Sequence, residues 1–242
     1  MFTETAIAAA KAHALSAYPQ EACGIIANDI YIPCDNVADD PLTNFAIATD
    51  TIQYYIIGGT LQAVIHSHPH VQFDVPSSPS KSDMQGQISM NVPWGVIDTD
   101  GEVVADPWWF GDFLLDEPLL GRTFHHGVRD CYSMIRGWYW QKLEIKLPEF
   151  PRDNMWWVTD DNLYLDNFTA AGFIKISRAE LMNGDLVLGR ANSTKINHAG
   201  VYLDNKEDGK GLLLHHLPKR LSARQAANPW INRAEVFLRY AP

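Results

Sequence analysis

Cysteine is scarce in this sequence, with Cys23, Cys34 and Cys131 as the three among 242 residues. So few cysteines, and an odd number of them, do not make a disulfide framework, and they favour synthesis in a reducing compartment. Basic residues are also few: 19 Lys and Arg face 29 Asp and Glu, for a formal net charge of -10. Because binding to nucleic-acid phosphates requires a basic face, we expect no nucleic-acid specificity.

Long apolar runs are lacking as well. None reaches the roughly 20 residues that a membrane-spanning helix needs, so we expect no membrane span. The N-terminus differs from a signal peptide, because Glu4 stands where basic residues are required and Lys11 and His13 interrupt the apolar stretch. We therefore expect synthesis in the cytoplasm without an export signal.

Hydrophobic periodicity predicts several elements in the N-terminal half. They are a helix over residues 4–18 with Thr3 as N-cap, buried strands over 22–27 and 63–66, and a short helix over 81–89. Residues 51–57 fit either a helix or a strand. Residues 92–97 and 102–105 are predicted to form a hairpin around the turn sequence DTDG.

Hydrophobic periodicity predicts a different set of elements in the C-terminal half. They are a helix over 131–141 and strands at 185–190, 198–203 and 211–216, with a charged turn at 204–210. Between the halves, residues 106–118 lose their periodicity and include Trp108, Trp109 and Phe110, and we interpret them as a packed interdomain linker. The sequence thus predicts an α+β protein of two domains, residues 1–105 and 119–242.

A candidate metal site lies where the predicted strand at 63–66 ends. His66 and His68 are two residues apart on a strand and so point to the same face, where one metal ion can bind both. Asp83 offers a third ligand. Two histidines and one carboxylate leave a position open for water, as in a catalytic zinc site. Glu21 is the best candidate for the base that such a site needs.

The order of these residues is specific. Glu21 in PQEACGII, H-S-H-P at 66–69 and S-x-x-D at 80–83 together resemble the signature of JAMM (MPN-type) metallopeptidases. That resemblance implies an α/β/α domain that binds Zn²⁺. The roles it implies are His66, His68 and Asp83 as metal ligands, Glu21 as the base for the metal-bound water, and Ser80 as a hydrogen-bond donor to the oxyanion.

A second constellation surrounds Cys131. Asp130 is predicted to N-cap a helix, which places Cys131 in the first turn, where the helix dipole and free amides favour the thiolate. A cysteine nucleophile also needs a general base and a group that orients that base. His198 can supply the base, and either His215 or His216 on the next predicted strand can orient it.

The motifs of this half are G-x-x-D-C at 127–131, NGDLVL at 183–188, NHAGVYL at 197–203 and LLLH at 212–215. They resemble those of NlpC-type cysteine peptidases, which are papain-like α+β enzymes that act on cell-wall peptides. The resemblance implies that Cys131 is the nucleophile, His198 its base and His215 the third polar residue.

One position departs from that family. A tyrosine upstream of the cysteine usually contributes to the oxyanion hole, and Phe124 stands at what we judge to be its place. Because phenylalanine cannot donate a hydrogen bond, three alternatives stay open: His125 or His126 substitutes, the backbone amide of Cys131 contributes more, or the enzyme is slow.

The two halves together, including G-R-x-F-x-H-G-x-x-D-C at 121–131, resemble tail assembly proteins of lambda-like tailed phages. The resemblance implies a virion tail-tip component, made in the host cytoplasm, that binds other phage tail-tip proteins and cleaves peptidoglycan peptides during entry. The zinc site would then process or position a tail protein. Two other interpretations remain: a mainly structural tail-tip plug or adaptor with dispensable sites, and a cytosolic zinc-dependent deconjugating isopeptidase.

Overall fold

A computed structural model describes residues 2–70, 72, 75–204 and 211–242. The chain divides into two compact units: Met1–Ser77 with Gln85–Asp112, and Ser78–Met84 with Phe113–Pro242. The division after Asp112 falls inside the stretch 106–118 that the sequence predicts as a linker. Most of the charged turn predicted at 204–210 lies outside the described residues.

The first unit is built on a five-stranded sheet. Its elements are α1 (Glu4–Ala17), β1 (Cys23–Ala27), β2 (Ile30–Cys34), α2 (Thr49–Ile57), β3 (Leu61–Pro69), α3 (Lys81–Met90), β4 (Trp94–Thr99) and β5 (Trp108–Phe110). The strand order is β2-β1-β3-β4-β5, in which β3 and β4 are parallel and the other neighbours are antiparallel. Helix α3 begins in the segment that belongs to the second unit.

Helix α1 begins as the sequence predicts, because the Thr3 side chain accepts a hydrogen bond from the amide of Ala6. Its buried face consists of Ala6, Ala10 and Ala14, four residues apart. These small side chains bring the helix close to the sheet, where they share a core with Ile26 and Ile65.

Two details of this unit differ from the sequence prediction. The turn DTDG forms, since Asp100 Oδ1 accepts hydrogen bonds from the amides of Glu102 and Val103. The second strand of the predicted hairpin does not form: Val104 makes only an isolated bridge, to Thr99. The β4 ladder is instead completed by β5, a strand inside the predicted linker, whose aromatic residues lie along the edge of the sheet.

The second unit contains a six-stranded antiparallel sheet. Its elements are α4 (Cys131–Leu143), α5 (Leu163–Asn167), β6 (Phe173–Ile176), β7 (Leu186–Gly189), β8 (His198–Leu203), β9 (Leu212–His215), β10 (Ala223–Ala226), α6 (Asn228–Ile231) and β11 (Val236–Tyr240). The strand order is β10-β9-β8-β7-β11-β6.

The core of this unit joins α4 to the sheet. Met134, Ile135 and Tyr139 of the helix are buried together with Leu188 of β7 and Leu214 of β9. Helix α4 also contacts β8, the strand that begins at the predicted base. The α+β fold class is confirmed. Among the helices of the described residues, none has both the length and the apolar composition needed to cross a bilayer.

Candidate active site and candidate metal centre

Cys131 is the first residue of α4, and Asp130 is its N-cap as predicted. Asp130 Oδ1 accepts hydrogen bonds from the amides of Tyr132 and Ser133, and Oδ2 accepts one from Gly127. Gly127 has a φ of +75°, a backbone conformation that glycine adopts without steric cost. The G-x-x-D-C motif is therefore a turn that places a cysteine at a capped helix start.

A buried arginine holds this cap in place. Arg152 donates two hydrogen bonds to Asp130, from Nε at 2.8 Å and from Nη2 at 3.1 Å, and its Nη1 donates to Glu149 at 2.6 Å. Burial disfavours the charge on Asp130, but the charge of Arg152 outweighs burial and leaves the pKa of Asp130 well below its usual range. Asp130 is thus ionised at neutral pH, and it directly precedes the candidate nucleophile in the chain.

His198 lies at the start of β8, and its Nε2 is 2.9 Å from Nδ1 of His215 on β9. For His198 to act as a base through Nδ1, its proton must sit on Nε2, which then donates to His215 Nδ1. The pKa of His215 is lowered by burial and raised in part by a hydrogen bond with the side chain of Gln225. The hydrogen bonds thus run from His198 through His215 to Gln225, and they fix the tautomer of each ring.

Trp230 covers this pair of histidines. Its ring centroid lies 5.1 Å from that of His198 and 4.7 Å from that of His215. An indole at this distance keeps water away from the hydrogen bond between the two rings. His216 takes a different position: its Nε2 donates to the carbonyl of Arg220, and its ring packs edge-on against Phe124. Of the two histidines that the sequence leaves open, His215 is the one in contact with His198.

Cys131 and His198 line one cavity of about 540 Å³ in the second unit. Cys131 Sγ lies 3.1 Å from the phenol oxygen of Tyr164 and 4.0 Å from the carbonyl oxygen of Asn197. Phe124, Trp156 and Arg220 also line this cavity. The cavity is large enough to take a peptide segment, and Cys131 is one of the residues that line it.

Burial sets the protonation states of this pair. It raises the pKa of Cys131 to about 11, reinforced by the negative charge of Asp130 and opposed by hydrogen bonds from Tyr164 and the amide of Ala199. It lowers the pKa of His198 to about 3, with His215 and His216 adding to the effect. Burial thus opposes the stabilisation of a thiolate that the sequence predicts for this helix start. Desolvation is the largest influence at both residues, and it favours a neutral thiol at Cys131 and a neutral imidazole at His198.

The two histidines near Phe124 are buried. Nε2 of His126 donates to the carbonyl of Asp153 at 2.9 Å, and the amide of His125 donates to the carbonyl of Arg129. The Nε2 proton of His126 is thus already used in a hydrogen bond to a backbone carbonyl of the protein. The donor adjacent to the sulfur belongs to Tyr164, a residue that lies outside the sequence motifs of this half.

The first unit brings His66, His68 and Glu21 together. Their candidate ligand atoms all lie within 4.8 Å of one another, and Nε2 of His66 is 3.0 Å from Nε2 of His68. The two rings thus aim the same nitrogen at one point, as the alternation of β3 predicts. His66 and Glu21 are buried.

A hydrogen-bonded relay orients His68. Its Nδ1 lies 2.9 Å from Ser77 Oγ, and Ser77 donates both its hydroxyl, at 2.5 Å, and its amide, at 3.0 Å, to the carboxylate of Asp98. Because the hydroxyl proton points to Asp98, Ser77 accepts from His68, so the His68 proton sits on Nδ1. The lone pair of Nε2 therefore faces His66 and Glu21, as a metal ligand requires.

Aromatic rings enclose the two histidines. Phe45 stacks on His66 with centroids 4.3 Å apart, Trp94 lies 5.9 Å from the same ring, and Trp108 lies 6.4 Å from His68. Such walls limit rotation of both rings and exclude water from one side of the site.

Ser80 and Asp83 lie at the start of α3, in the segment that belongs to the second unit. The Asp83 carboxylate accepts from the Ser80 amide at 2.8 Å, and the Ser80 hydroxyl accepts from the Asp83 amide at 3.1 Å. These reciprocal bonds are those of a capping box and give both residues a structural role at the helix start. The roles of Asp83 as ligand and Ser80 as oxyanion donor stay predictions.

Comparison with known proteins identifies the class of the second unit. The NlpC/P60 family model matches residues 121–239, a span that contains Cys131, His198 and His215. The second unit therefore carries an NlpC/P60 domain. The solution structure of a protein from Desulfitobacterium hafniense covers 46% of this chain and 84% of its own, at 20% identity and a TM-score of 0.34.

Two relatives match most of the chain. Tail tip assembly protein K of Escherichia phage N15 is 30% identical over 246 residues, which cover 97% of this chain and 93% of the relative. Tail tip assembly protein K of Escherichia phage lambda is 33% identical over 183 residues, which cover 75% and 83%. This chain belongs to the tail tip assembly protein K family. The predicted resemblance to phage tail assembly proteins is confirmed.

Proposed function

We propose that the second unit hydrolyses a peptide bond in the peptides of peptidoglycan through an acyl-enzyme on Cys131. The observation that carries this proposal is that Cys131 and His198 line the same cavity, with His198 held by His215. The match of the NlpC/P60 model to this region supports the same reaction class.

The neutral thiol and imidazole define the first step. Cys131 Sγ attacks the substrate carbonyl carbon while its proton passes to Nδ1 of His198, and the carbonyl electron pair moves to oxygen. As the tetrahedral intermediate collapses, the C–N bond breaks and His198 returns the proton to the leaving amine. Water then attacks the thioester, with His198 taking its proton, and the acid product and free thiol are released.

The burial of His198 suits this sequence of proton transfers. A base whose pKa is depressed holds a proton only while the negative charge of the intermediate is nearby, and so gives it up readily to the leaving amine. Nε2 stays bonded to His215 throughout, so the ring does not rotate between accepting and donating the proton.

We further propose that this activity serves a phage particle at its tail tip. The names of the relatives from phages N15 and lambda support that setting. Partners would be other phage tail-tip proteins, and synthesis would take place in the host cytoplasm before assembly.

Purified protein incubated with soluble muropeptides from Gram-negative sacculi tests the cysteine site. We expect wild type to convert them to shorter peptides, Cys131→Ala to lose that conversion, and His68→Ala to retain it. Hydrolysis by Cys131→Ala at the wild-type rate would refute the proposal. If infection and wall lysis survive both changes, the structural plug or adaptor is the better account.

For the first unit, we propose a zinc site of the JAMM type with His66 and His68 as ligands. The set of two Nε2 atoms and a carboxylate oxygen suits Zn²⁺, and the Asp98–Ser77–His68 relay sets the tautomer that metal binding needs. When bound, zinc supplies Lewis acidity and activates a water molecule. Processing or positioning of a tail protein would be its separate role.

Zinc affinity decides which carboxylate is the third ligand. We expect Asp83→Asn to weaken zinc binding strongly, in line with the predicted ligand set, and Glu21→Gln to weaken it less and to abolish peptidase turnover. The measurement is competition with a chromophoric zinc chelator. If Glu21→Gln weakens binding more than Asp83→Asn, Glu21 is the ligand and the predicted roles are wrong.

Cleavage of an isopeptide substrate without action on muropeptides would favour the deconjugase.

A further inference from the structure

We propose that the phenol of Tyr164 is a catalytic hydrogen-bond donor to the oxyanion formed at Cys131. This inference rests on the proposed acyl transfer at that residue. The position is not obvious from the sequence, because Tyr164 lies 33 residues after the cysteine, on the short helix α5.

Geometry places the phenol beside the reacting atoms. Tyr164 Oη is 3.1 Å from Cys131 Sγ, and both residues line the same cavity. When the sulfur bonds to a carbonyl carbon, the carbonyl oxygen becomes its near neighbour, within reach of any donor that already touches the sulfur. Phe124, which lines the same cavity, offers only a hydrocarbon ring.

Packing holds Tyr164 in this position before substrate binds. Its ring lies edge-on to Trp156 at 6.3 Å and to Tyr132 at 6.4 Å between centroids. A donor fixed in advance needs no reorganisation when charge develops, which is the condition under which such groups contribute most to rate.

The proton of the phenol stays in place throughout the reaction. Burial and the neighbouring Cys131 raise the pKa of Tyr164 well above its usual value, so the group is a donor at every working pH. The thiol proton travels to His198 as described, and the Tyr164 O–H bond does not break. The second donor is the backbone amide of Cys131, which at the first position of α4 has no acceptor within the helix.

The same contact has a second reading, in which Tyr164 only stabilises the thiolate. A hydrogen bond from Tyr164 does lower the pKa of Cys131 in part. The two roles differ in what they accelerate. A donor to the oxyanion affects only acyl transfer, whereas a donor to the thiolate affects every reaction that starts from the thiolate, including alkylation.

The experiment compares Tyr164→Phe with wild type in two reactions of the full chain. We expect hydrolysis of soluble muropeptides to fall about 10²–10³-fold in kcat, with KM changed little, because one oxyanion donor is lost. The second reaction is alkylation of Cys131 by iodoacetamide, which forms no oxyanion. The fold-decrease in its rate should be at least ten times smaller than the fold-decrease in hydrolysis.

A matched control is Tyr139→Phe, which removes a buried phenol of the same unit whose hydroxyl donates to the carbonyl of Gly184 away from the cavity. It should retain hydrolysis. Equal losses of hydrolysis and alkylation in Tyr164→Phe, or hydrolysis at the wild-type rate, would overturn the assignment. Cys131→Ala distinguishes failure of the proposed function from failure of the role of Tyr164. If Cys131→Ala keeps full hydrolysis, the proposed function is wrong. If Cys131→Ala is inactive and Tyr164→Phe hydrolyses at the wild-type rate, only the role of Tyr164 is wrong.

Discussion

The buried pair of Asp130 and Arg152 gives a sharp prediction about stability. Replacing Arg152 with methionine removes two hydrogen bonds to Asp130 and leaves its carboxylate buried and without its compensating charge. Both side chains are about 5% exposed or less, so water cannot replace the arginine. We expect Arg152→Met to lower the free energy of unfolding by about 3–5 kcal/mol.

A double variant tests the reason for the loss. Asparagine at position 130 can still cap α4, because its side-chain oxygen accepts from the amides of Tyr132 and Ser133, but it carries no charge. We therefore expect Asp130→Asn combined with Arg152→Met to be more stable than Arg152→Met alone, by about 1 kcal/mol or more. Arg190→Met is the matched control, since Arg190 pairs with Glu235 at the surface, and its loss should cost about 1 kcal/mol or less.

Urea denaturation of the full chain at pH 7 measures these values, with pulse labelling of Cys131 to report the unfolding of the second unit. The pKa of Asp130 is depressed in the wild type, so the stability that the pair contributes is present above the ordinary aspartate range and is lost as pH falls. In Arg152→Met burial is no longer opposed by the arginine and raises the pKa of Asp130, so the carboxylate takes up a proton in mild acid. The difference between wild type and Arg152→Met should for that reason shrink at pH 4, where the variant no longer buries an unpaired charge. A loss no larger than that of Arg190→Met, or a double variant no more stable than the single one, refutes the reasoning.

Two further predictions concern the other residues of the two sites. Ser77→Ala breaks the hydrogen-bonded relay from His68 to Asp98 and should weaken zinc binding about 10–100-fold. Chelator competition measures the affinity, and circular dichroism checks that the fold is unchanged. Unchanged affinity would show that the relay does not orient His68. Alkylation of Cys131 should accelerate about tenfold per pH unit from pH 7 towards its raised pKa of about 11, because only the thiolate reacts. The alkylation rate is measured by mass spectrometry of the Cys131 peptide. A rate that does not change with pH above pH 7 would mean that the resting pair is ionised.

Sequence pattern was sufficient where a local rule determines geometry. The spacing of His66 and His68 on a strand, the capping of α4 by Asp130, and the α+β class could all be predicted in this way, because alternation and N-cap chemistry act over a few residues. The segment at 51–57, which fits helix or strand equally well, becomes α2 in the structure.

What the sequence could not supply are contacts between distant segments. Tyr164, Arg152 and Trp230 reach the cysteine site from loops and short helices with no periodic signal, so only the fold brings them to Cys131 and His198. Strand β10, with the sequence ARQA, has no strand pattern of its own, because its order comes from pairing with β9 rather than from its composition. The raised pKa of Cys131 likewise follows from burial, which no motif reveals.

The central claim is that Cys131 forms a covalent acyl-enzyme with a cell-wall peptide. The most direct test is intact-mass measurement of the protein after brief mixing with soluble muropeptides and quenching in acid. We predict an adduct of one acyl peptide that maps to Cys131, is absent in Cys131→Ala and persists in His68→Ala. Hydrolysis that proceeds without any adduct on Cys131, and at the same rate in Cys131→Ala, would contradict the claim.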